Sequence, residues 1–417
     1  MRSLAVCLIF FGVFISCAAP TTSRIAKGRG RAATTHVGRE DQDSPKKGST
    51  NSKQALEEGL ALLESDVVMA KQHFLMAIDA DPNCYQAQMN LAILATRRGQ
   101  FAEASHYYEA ALRARPGFLP AVIGLAVELE RANDIETALR LLRSYADRLP
   151  EIGARLAQLL ARQGQLDAAR EQAVLVLHTD ERNAQAMVAL GMVYRRQHRI
   201  ELAQLALNQA IEIDPHSGEA YHELGLVLVA QDQTAQAVLA FEKAVEANPD
   251  IAAFHNNLGV LRSEVGAFKL AIESLEQAVR LSPKTAAYVL NLGNALRGEQ
   301  RYEEAEHAYR KALEMGNGLP EALYNLGILY LDNELTGQET LSRLRTSVDF
   351  LRAYLNKAPS ESDRVQLASY IETAQKGIEN EEKRLARERQ RTEKEAEKRR
   401  LTEEAETRQN TNSKAED

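Results

Sequence analysis

The sequence has no tryptophan, and aromatic residues occupy only 6% of its 417 positions. No Asn-Gly or Asp-Gly pair stands between runs of alternating apolar residues, so the strongest short-range signal of a β-hairpin is missing. There are three cysteines, Cys7, Cys17 and Cys84. They include no closely spaced pair for zinc, and one thiol beyond the first 17 residues excludes a fold stapled by internal disulfides. The nine histidines include no His-Glu-x-x-His. His222-Glu223 lacks a second histidine at metal-binding spacing, so it reads as lining of a helix face and not as a catalytic pair. Gly28-Arg29-Gly30 stands in no strand-to-helix context that would let it cradle phosphate. Catalytic residues, a metal and a cofactor are all unexpected, and the chain is not expected to be an enzyme.

What the chain has in abundance is alanine and leucine, which lose little freedom in helices. With 45% hydrophobic and 26% charged residues it has the composition of a folded protein. It is too long for one small domain, which points to several domains or to a repeat array.

At the amino terminus Arg2 precedes an apolar run from Leu4 to Ile15, the pattern of an export signal over residues 1–16. The run is about a dozen residues, short of the roughly 20 that a membrane span needs. Phe14-Ile15-Ser16-Cys17 resembles the lipobox of bacterial lipoproteins, with Phe14 where leucine is usual. That resemblance implies cleavage before Cys17 and acylation of Cys17. The alternative is an ordinary signal cut near Ala18-Ala19, with Cys17 incidental. Several acyl chains suffice for stable anchoring at about 0.8 kcal/mol per buried methylene. By resemblance to enterobacterial lipoproteins, Ala18 after the cysteine implies the outer membrane, facing the periplasm.

Residues 17–53 are rich in Thr, Ser, Gly and basic side chains and read as a disordered tether. A flexible segment of this length has a reach of roughly 30–35 Å. The first 53 residues carry nine basic side chains against Glu40, Asp41 and Asp43, so the total charge of −7 leaves −13 on residues 54–417. The basic segment is either drawn to anionic headgroups or a soluble spacer. The acidic body argues against nucleic acid as a partner.

Beyond the tether the sequence is periodic. Gly191, Gly225, Gly259, Gly293 and Gly327 recur every 34 residues, each preceded by leucine. Twelve residues after the first four come Ala203, Ala237, Ala271 and Ala305. Leu207, Phe241, Leu275 and Tyr309 follow, and then Ala210, Ala244, Ala278 and Ala312. Small residues let paired helices approach closely, apolar stripes at helical spacing bury one face, and Pro215, Pro249 and Pro283 end the units. This pattern resembles the tetratricopeptide (TPR) repeat: helix, tight turn, helix, proline. The resemblance implies an all-α, right-handed superhelical solenoid in which stacked neighbours complete one core.

Nine repeats are expected over residues 54–359. Repeat one keeps Ala70, Phe74, Ala77 and Pro82, but its first helix lacks the Leu-Gly pair. A three-residue deletion is expected between Pro150 and Ala157, and an eight-residue insertion enlarges the turn Asp332–Thr346 of repeat nine. A capping helix is expected over 360–376 and a charged helix with a disordered tail over 377–417. Ile371, Ile378 and Leu385 are seven apart, a hint of a coiled-coil seam set against a solvated helix. A helix of about 35 residues would project roughly 50 Å.

In the TPR family the first helix of each repeat lines a groove, and asparagine just before the Leu-Gly pair bonds a peptide backbone. By that resemblance the candidate binding residues are Asn257, Asn291 and Asn325, with Asn256, Asn294, Arg297 and Tyr324 nearby on the same face. An amide offers both donor and acceptor, which suits an extended peptide whatever its side chains. The alternative is that asparagine is simply common at this position. The whole arrangement resembles TPR lipoproteins of type IV pilus biogenesis, secretin assembly and myxobacterial gliding motility. It implies a scaffold for a trans-envelope machine, with envelope proteins or extended peptide segments as partners. A second reading is an adaptor that docks peptidoglycan enzymes at the outer membrane. Glycosyltransferases that carry TPR arrays add a catalytic domain, for which no sequence is left over.

Overall fold

The computed structural model describes residues 47–315, 319–334, 337–357 and 361–413. The export signal 1–16, the candidate lipid site Cys17 and the tether as far as residue 46 lie outside the described residues. So does the end of the charged tail, 414–417.

Among the described residues every regular element is a helix, and none of the helices is long and apolar enough to cross a membrane. The chain divides into two compact units between Leu258 and Gly259. The first unit opens with α1 (Lys47–Leu62) and α2 (Val67–Ala80), then α3 (Tyr85–Arg97) and α4 (Phe101–Ala114). Next are α5 (Leu119–Arg131) and α6 (Ile135–Ala146), α7 (Pro150–Arg162) and α8 (Leu166–Thr179). It continues with α9 (Ala184–Arg196) and α10 (Ile200–Ile213), and α11 (Gly218–Ala230) and α12 (Thr234–Ala247). The division falls inside α13 (Ala252–Glu264), which is followed by α14 (Phe268–Leu281). The second unit goes on through α15 (Ala286–Gly298) and α16 (Tyr302–Met315), α17 (Pro320–Asp332) and α18 (Thr340–Leu355), and closes with α19 (Glu361–Ser413).

Consecutive helices pack in pairs, as the 34-residue period requires. Within a pair, the glycine of the first helix admits the large side chain of the second. A Cβ at Gly225 would stand 2.5 Å from the Phe241 ring, and one at Gly293 would stand 2.6 Å from Tyr309. Repeat one follows the same rule: Gly59 meets Phe74, where a Cβ would stand 2.6 Å from the ring. The small residue that repeat one was expected to lack is present, out of register with the other repeats.

Four boundaries differ from the sequence reading. Helix α1 starts at Lys47, inside the segment assigned to the tether, and the buried Ser52 hydroxyl donates to the Ala77 carbonyl oxygen at 2.8 Å. The deletion lies before Pro150 and not after it: α6 has 12 residues where α4 and α8 have 14, and three residues separate it from α7. Pro150 is the first residue of α7, where its missing N–H leaves no bond unmade. The insertion is shared between the segment 333–339 and an added first turn of α18, so Thr340–Thr346 is helix and not loop. Finally, the expected capping helix and charged helix are one continuous α19 of 53 residues.

The start of α19 covers the last pair. Leu367 and Ala374 are buried, a Cβ at Gly377 would stand 2.9 Å from Leu344, and Arg345 pairs with Glu382 at 2.8 Å. Ile371 packs into that same core, with Leu351 and Tyr354. The start of the seven-residue stripe is therefore spent on closing the array.

Candidate functional site

The candidate binding residues fall into both units, and each group stands by itself. In the second unit, Asn291, Asn294 and Arg297 follow one another at three-residue steps along α15, which puts them on one face. The structure ties Asn294 to the following pair: its Oδ1 accepts from Asn325 Nδ2 on α17 at 2.9 Å. The same oxygen accepts from the Tyr309 hydroxyl on α16, also at 2.9 Å. Tyr309 is fully buried and burial pushes its hydroxyl up to about 12, so it stays a donor at any ordinary pH. Its hydroxyl thus reaches from beneath to fix an amide on the inner helix.

Tyr324 meets the aromatic side chains of the last helices. Its ring centroid lies 5.5 Å from Tyr354 on α18 and 6.4 Å from Tyr370 on α19. Neighbouring positions on a helix point about 100° apart, so Tyr324 serves the cap while Asn325 faces Asn294. Arg297 lies close enough to Tyr309 and Asp332 to favour the ionised form of both. Burial is the stronger influence on Asp332 and raises its carboxyl above the usual range, with Arg297 and Arg343 opposing.

In the first unit, Asn257 is engaged on both sides of its amide. Its Oδ1 accepts from Asn256 Nδ2 at 3.1 Å, and its Nδ2 lies 2.8 Å from His222 Nε2. An amide nitrogen can only donate, so Nε2 accepts and the proton of the neutral ring sits on Nδ1. The ring stacks on Phe254 with centroids 4.7 Å apart. Burial is the main reason its pKa drops to about 4, with Glu223 opposing the shift and Arg195 adding to it. Burial also works against the Glu223 carboxylate, but Arg195, 2.8 Å away, and His222 hold its carboxyl below the usual range. The His222-Glu223 pair therefore lies in the packed interior of the inner face.

A second polar cluster, missed from the sequence, lies around α7. Its residues Ile152 to Ala161 are all buried, ten in succession. Arg155 and Arg162 share Glu130 of α5 at 2.7 and 2.8 Å. Gln158 donates to Glu219 of α11 at 3.1 Å, and Arg155 stands 3.9 Å from the same carboxylate. Among the described residues no other first helix of a pair has so long a run of buried positions. One signal was available: Arg97, Arg131, Arg162 and Arg196 each occupy the last position of α3, α5, α7 and α9.

Among the described residues, no cluster of three His, Cys, Asp or Glu side chains is placed to hold a metal ion. The arrangement offers amides and ion pairs on inner helices, which is chemistry for holding a chain.

A model described as tetratricopeptide repeat matches residues 70–117, 89–151, 154–218, 222–286, 262–320 and 290–339, more than half of the sequence. No curated protein matches it. Among solved structures, the APC/C hetero-tetramer Cut9–Hcn1 is 17% identical over 79% of this chain and 63% of that one, with a TM-score of 0.56. That likeness is one of fold. The MamA protein is 26% identical over 40% of this chain and 91% of its own, with a TM-score of 0.34. PilF of Pseudomonas aeruginosa is 18% identical over 54% of this chain and 98% of its own, with a TM-score of 0.46.

Proposed function

We propose that this chain, which belongs to the tetratricopeptide repeat family, is a protein–protein interaction scaffold that holds extended partner segments on its inner helices. The observation that carries the reading is the amide pair of the second unit. Tyr309 and Asn325 both donate to Asn294 Oδ1, which fixes the orientation of two amides one repeat apart. The Asn294 N–H groups and the Asn325 carbonyl oxygen are left to meet the donors and acceptors of a peptide backbone. Because that ordering precedes binding, little conformational entropy is lost when a chain docks.

The finer reading is that the scaffold is exported and lipid-anchored through Cys17, facing the periplasm. There it would serve a trans-envelope machine such as gliding motility, a type IV pilus or a secretion system. Support comes from the lipobox-like Phe14-Ile15-Ser16-Cys17 and the basic segment after it. Cys17→Ala should lose acyl label and leave the membrane fraction.

The scaffold reading is tested by crosslinking in cells and capture of the full chain, wild type against Asn294→Ala/Asn325→Ala. At least fivefold less partner should be captured by the variant at unchanged far-UV helicity. Equal capture would sink the amide site. Secretin, pilus or motility subunits in the captured set support the machine, and cell-wall hydrolases in their place would assign the adaptor role.

A further inference from the structure

The far part of α19 presents charge that the array does not use. From Ala386 to Thr402 every residue is exposed. Residues 383–400 hold nine basic side chains against four acidic ones, in a chain whose total charge is −7. These charges are sorted by side. Lys383, Arg387, Arg391, Lys394 and Lys398 follow one another at steps of four, four, three and four residues. At about 100° per residue, those steps keep all five within an arc of roughly 80°. The glutamates of the stretch, Glu388, Glu393, Glu395 and Glu397, all fall outside that arc. At 1.5 Å per residue the stripe is about 22 Å long. Arg391 pairs with Glu395 at 3.1 Å, an exposed contact of little strength. Among the described residues the other four cations of the stripe form no ion pair. Leu401 lies seven residues beyond Lys394, on the same side of the helix, and is 57% exposed.

Five cations in one row repel each other, and an anion that meets them relieves the repulsion. A row along one side of a helix can lay every cation on a flat surface at once. A protein partner would need a row of carboxylates of the same length and pitch. Lys and Arg also carry long apolar stems that reach into an interface, and each one adds to binding near an anionic surface. None of the described helices is long and apolar enough to cross a bilayer, so such contact runs along the surface.

We propose that this stripe of α19 is a docking surface for an anionic lipid membrane, whose phosphate headgroups receive the five cations while Leu401 enters the interface. The inference goes beyond the scaffold reading and does not depend on acylation at Cys17. It gives the far end of α19 a task separate from the one at its start, where Leu367 and Ala374 close the array.

The test is amide hydrogen exchange on the full chain at about 150 mM salt, where weak long-range attraction is screened. Vesicles of phosphatidylcholine mixed with phosphatidylglycerol are compared with vesicles of phosphatidylcholine alone. In wild type, amides of 386–402 should exchange at least fivefold more slowly on the anionic vesicles. Arg387→Gln/Lys394→Gln/Lys398→Gln should lose that difference. Arg389→Gln/Arg399→Gln/Arg400→Gln removes equal charge from the other sides of the helix and should keep it. Glutamine is a good helix former, and each variant is compared with itself on neutral vesicles, so a looser helix is not mistaken for lost docking. Residues 1–53 are common to all three proteins and do not enter the comparison. No slowing in wild type, slowing kept by the stripe variant, or an equal loss in both variants overturns the stripe. Equal slowing by polyglutamate or by inorganic phosphate, without vesicles, overturns the lipid assignment. Partner capture through Asn294 and Asn325 is read separately, so the two readings fail separately.

Discussion

Among the described residues, Gly337 is left-handed in the long connection between α17 and α18, and seven shorter turns within helix pairs each pass through one left-handed residue. Three are glycines, Gly99, Gly164 and Gly266, and four carry side chains: Asn133, His198, Asp232 and Gln300, with φ from 58° to 65°. In these seven pairs the left-handed residue closes the first helix, as at His198, whose N–H bonds the Arg195 carbonyl oxygen at 3.0 Å. For a side-chain-bearing residue that conformation costs roughly 1–2 kcal/mol, least for Asn and Asp. Glycine removes this cost but adds freedom to the unfolded chain, which returns part of the gain. His198→Gly and Gln300→Gly should therefore each stabilise the protein by about 0.5–1 kcal/mol. Asn133→Gly should give less. Urea midpoints measured at constant slope decide it, and a loss of stability at Gln300 would refute the account. These turns were not singled out in the sequence, because His and Gln are poor turn residues and only the repeat length places them. The Tyr309–Asn294 bond was hidden for another reason. Tyr309 occupies a core position shared with Leu207 and Phe241, and nothing in the spacing says that its hydroxyl reaches the inner face.

At the scale of elements, the periodic positions were legible because each has one geometric reason to exist. The irregular ones were not. Proline is tolerated both after a helix and at its first residue, so Pro150 fitted two alignments, and only packing distinguishes them. The consequence is energetic. Glu130 stands between two guanidiniums, Arg155 and Arg162, with all three side chains largely buried. Removing it in Glu130→Ala takes the nearest carboxylate from two buried cations, with Glu219 at 3.9 Å still beside Arg155, and should destabilise the first unit by about 3–5 kcal/mol. Calorimetry should show the loss; a drop below about 1 kcal/mol would mean that water replaces the carboxylate. The seven-residue spacing of Ile371, Ile378 and Leu385 was similarly ambiguous, since docking on a neighbour and pairing with a second chain demand the same stripe. Residues 386–402 of α19 are exposed throughout. Ending the chain after Arg389 should leave Tm unchanged within the error of the measurement. Ending it after Ser360 removes the buried Leu367 and Ala374 and uncovers Leu351 and Tyr354, and Tm should fall by several degrees.

For the whole molecule, stacking on nearest neighbours means that a perturbation in one repeat is felt locally first. Acid supplies such a perturbation. His222 is neutral in the folded chain down to about pH 4, whereas an unfolded histidine takes its proton near 6.5. Above pH 6.5 both states are neutral and the residue adds no pH dependence. Between 6.5 and 4 the unfolded chain binds a proton that the folded chain refuses, so stability falls as pH falls, by about 1.4 kcal/mol per unit at most. Glu223 acts in the same direction at lower pH: its carboxyl is held below the usual range, so the stability it contributes is present above the unfolded pKa and lost as pH drops through the folded one. Both groups lie on α11 of the first unit. The acid-sensitive region is therefore local, and hydrogen exchange can locate it. Between pH 7 and 5, after correction for intrinsic rates, protection should decline in α11 and α12 and hold in α15 to α17. His222→Gln should flatten that decline, because a neutral amide takes no proton in either state. If wild type and variant lost protection in parallel, or if both units loosened together, the histidine would not be the cause, and the acid response would belong to the charge of the molecule as a whole.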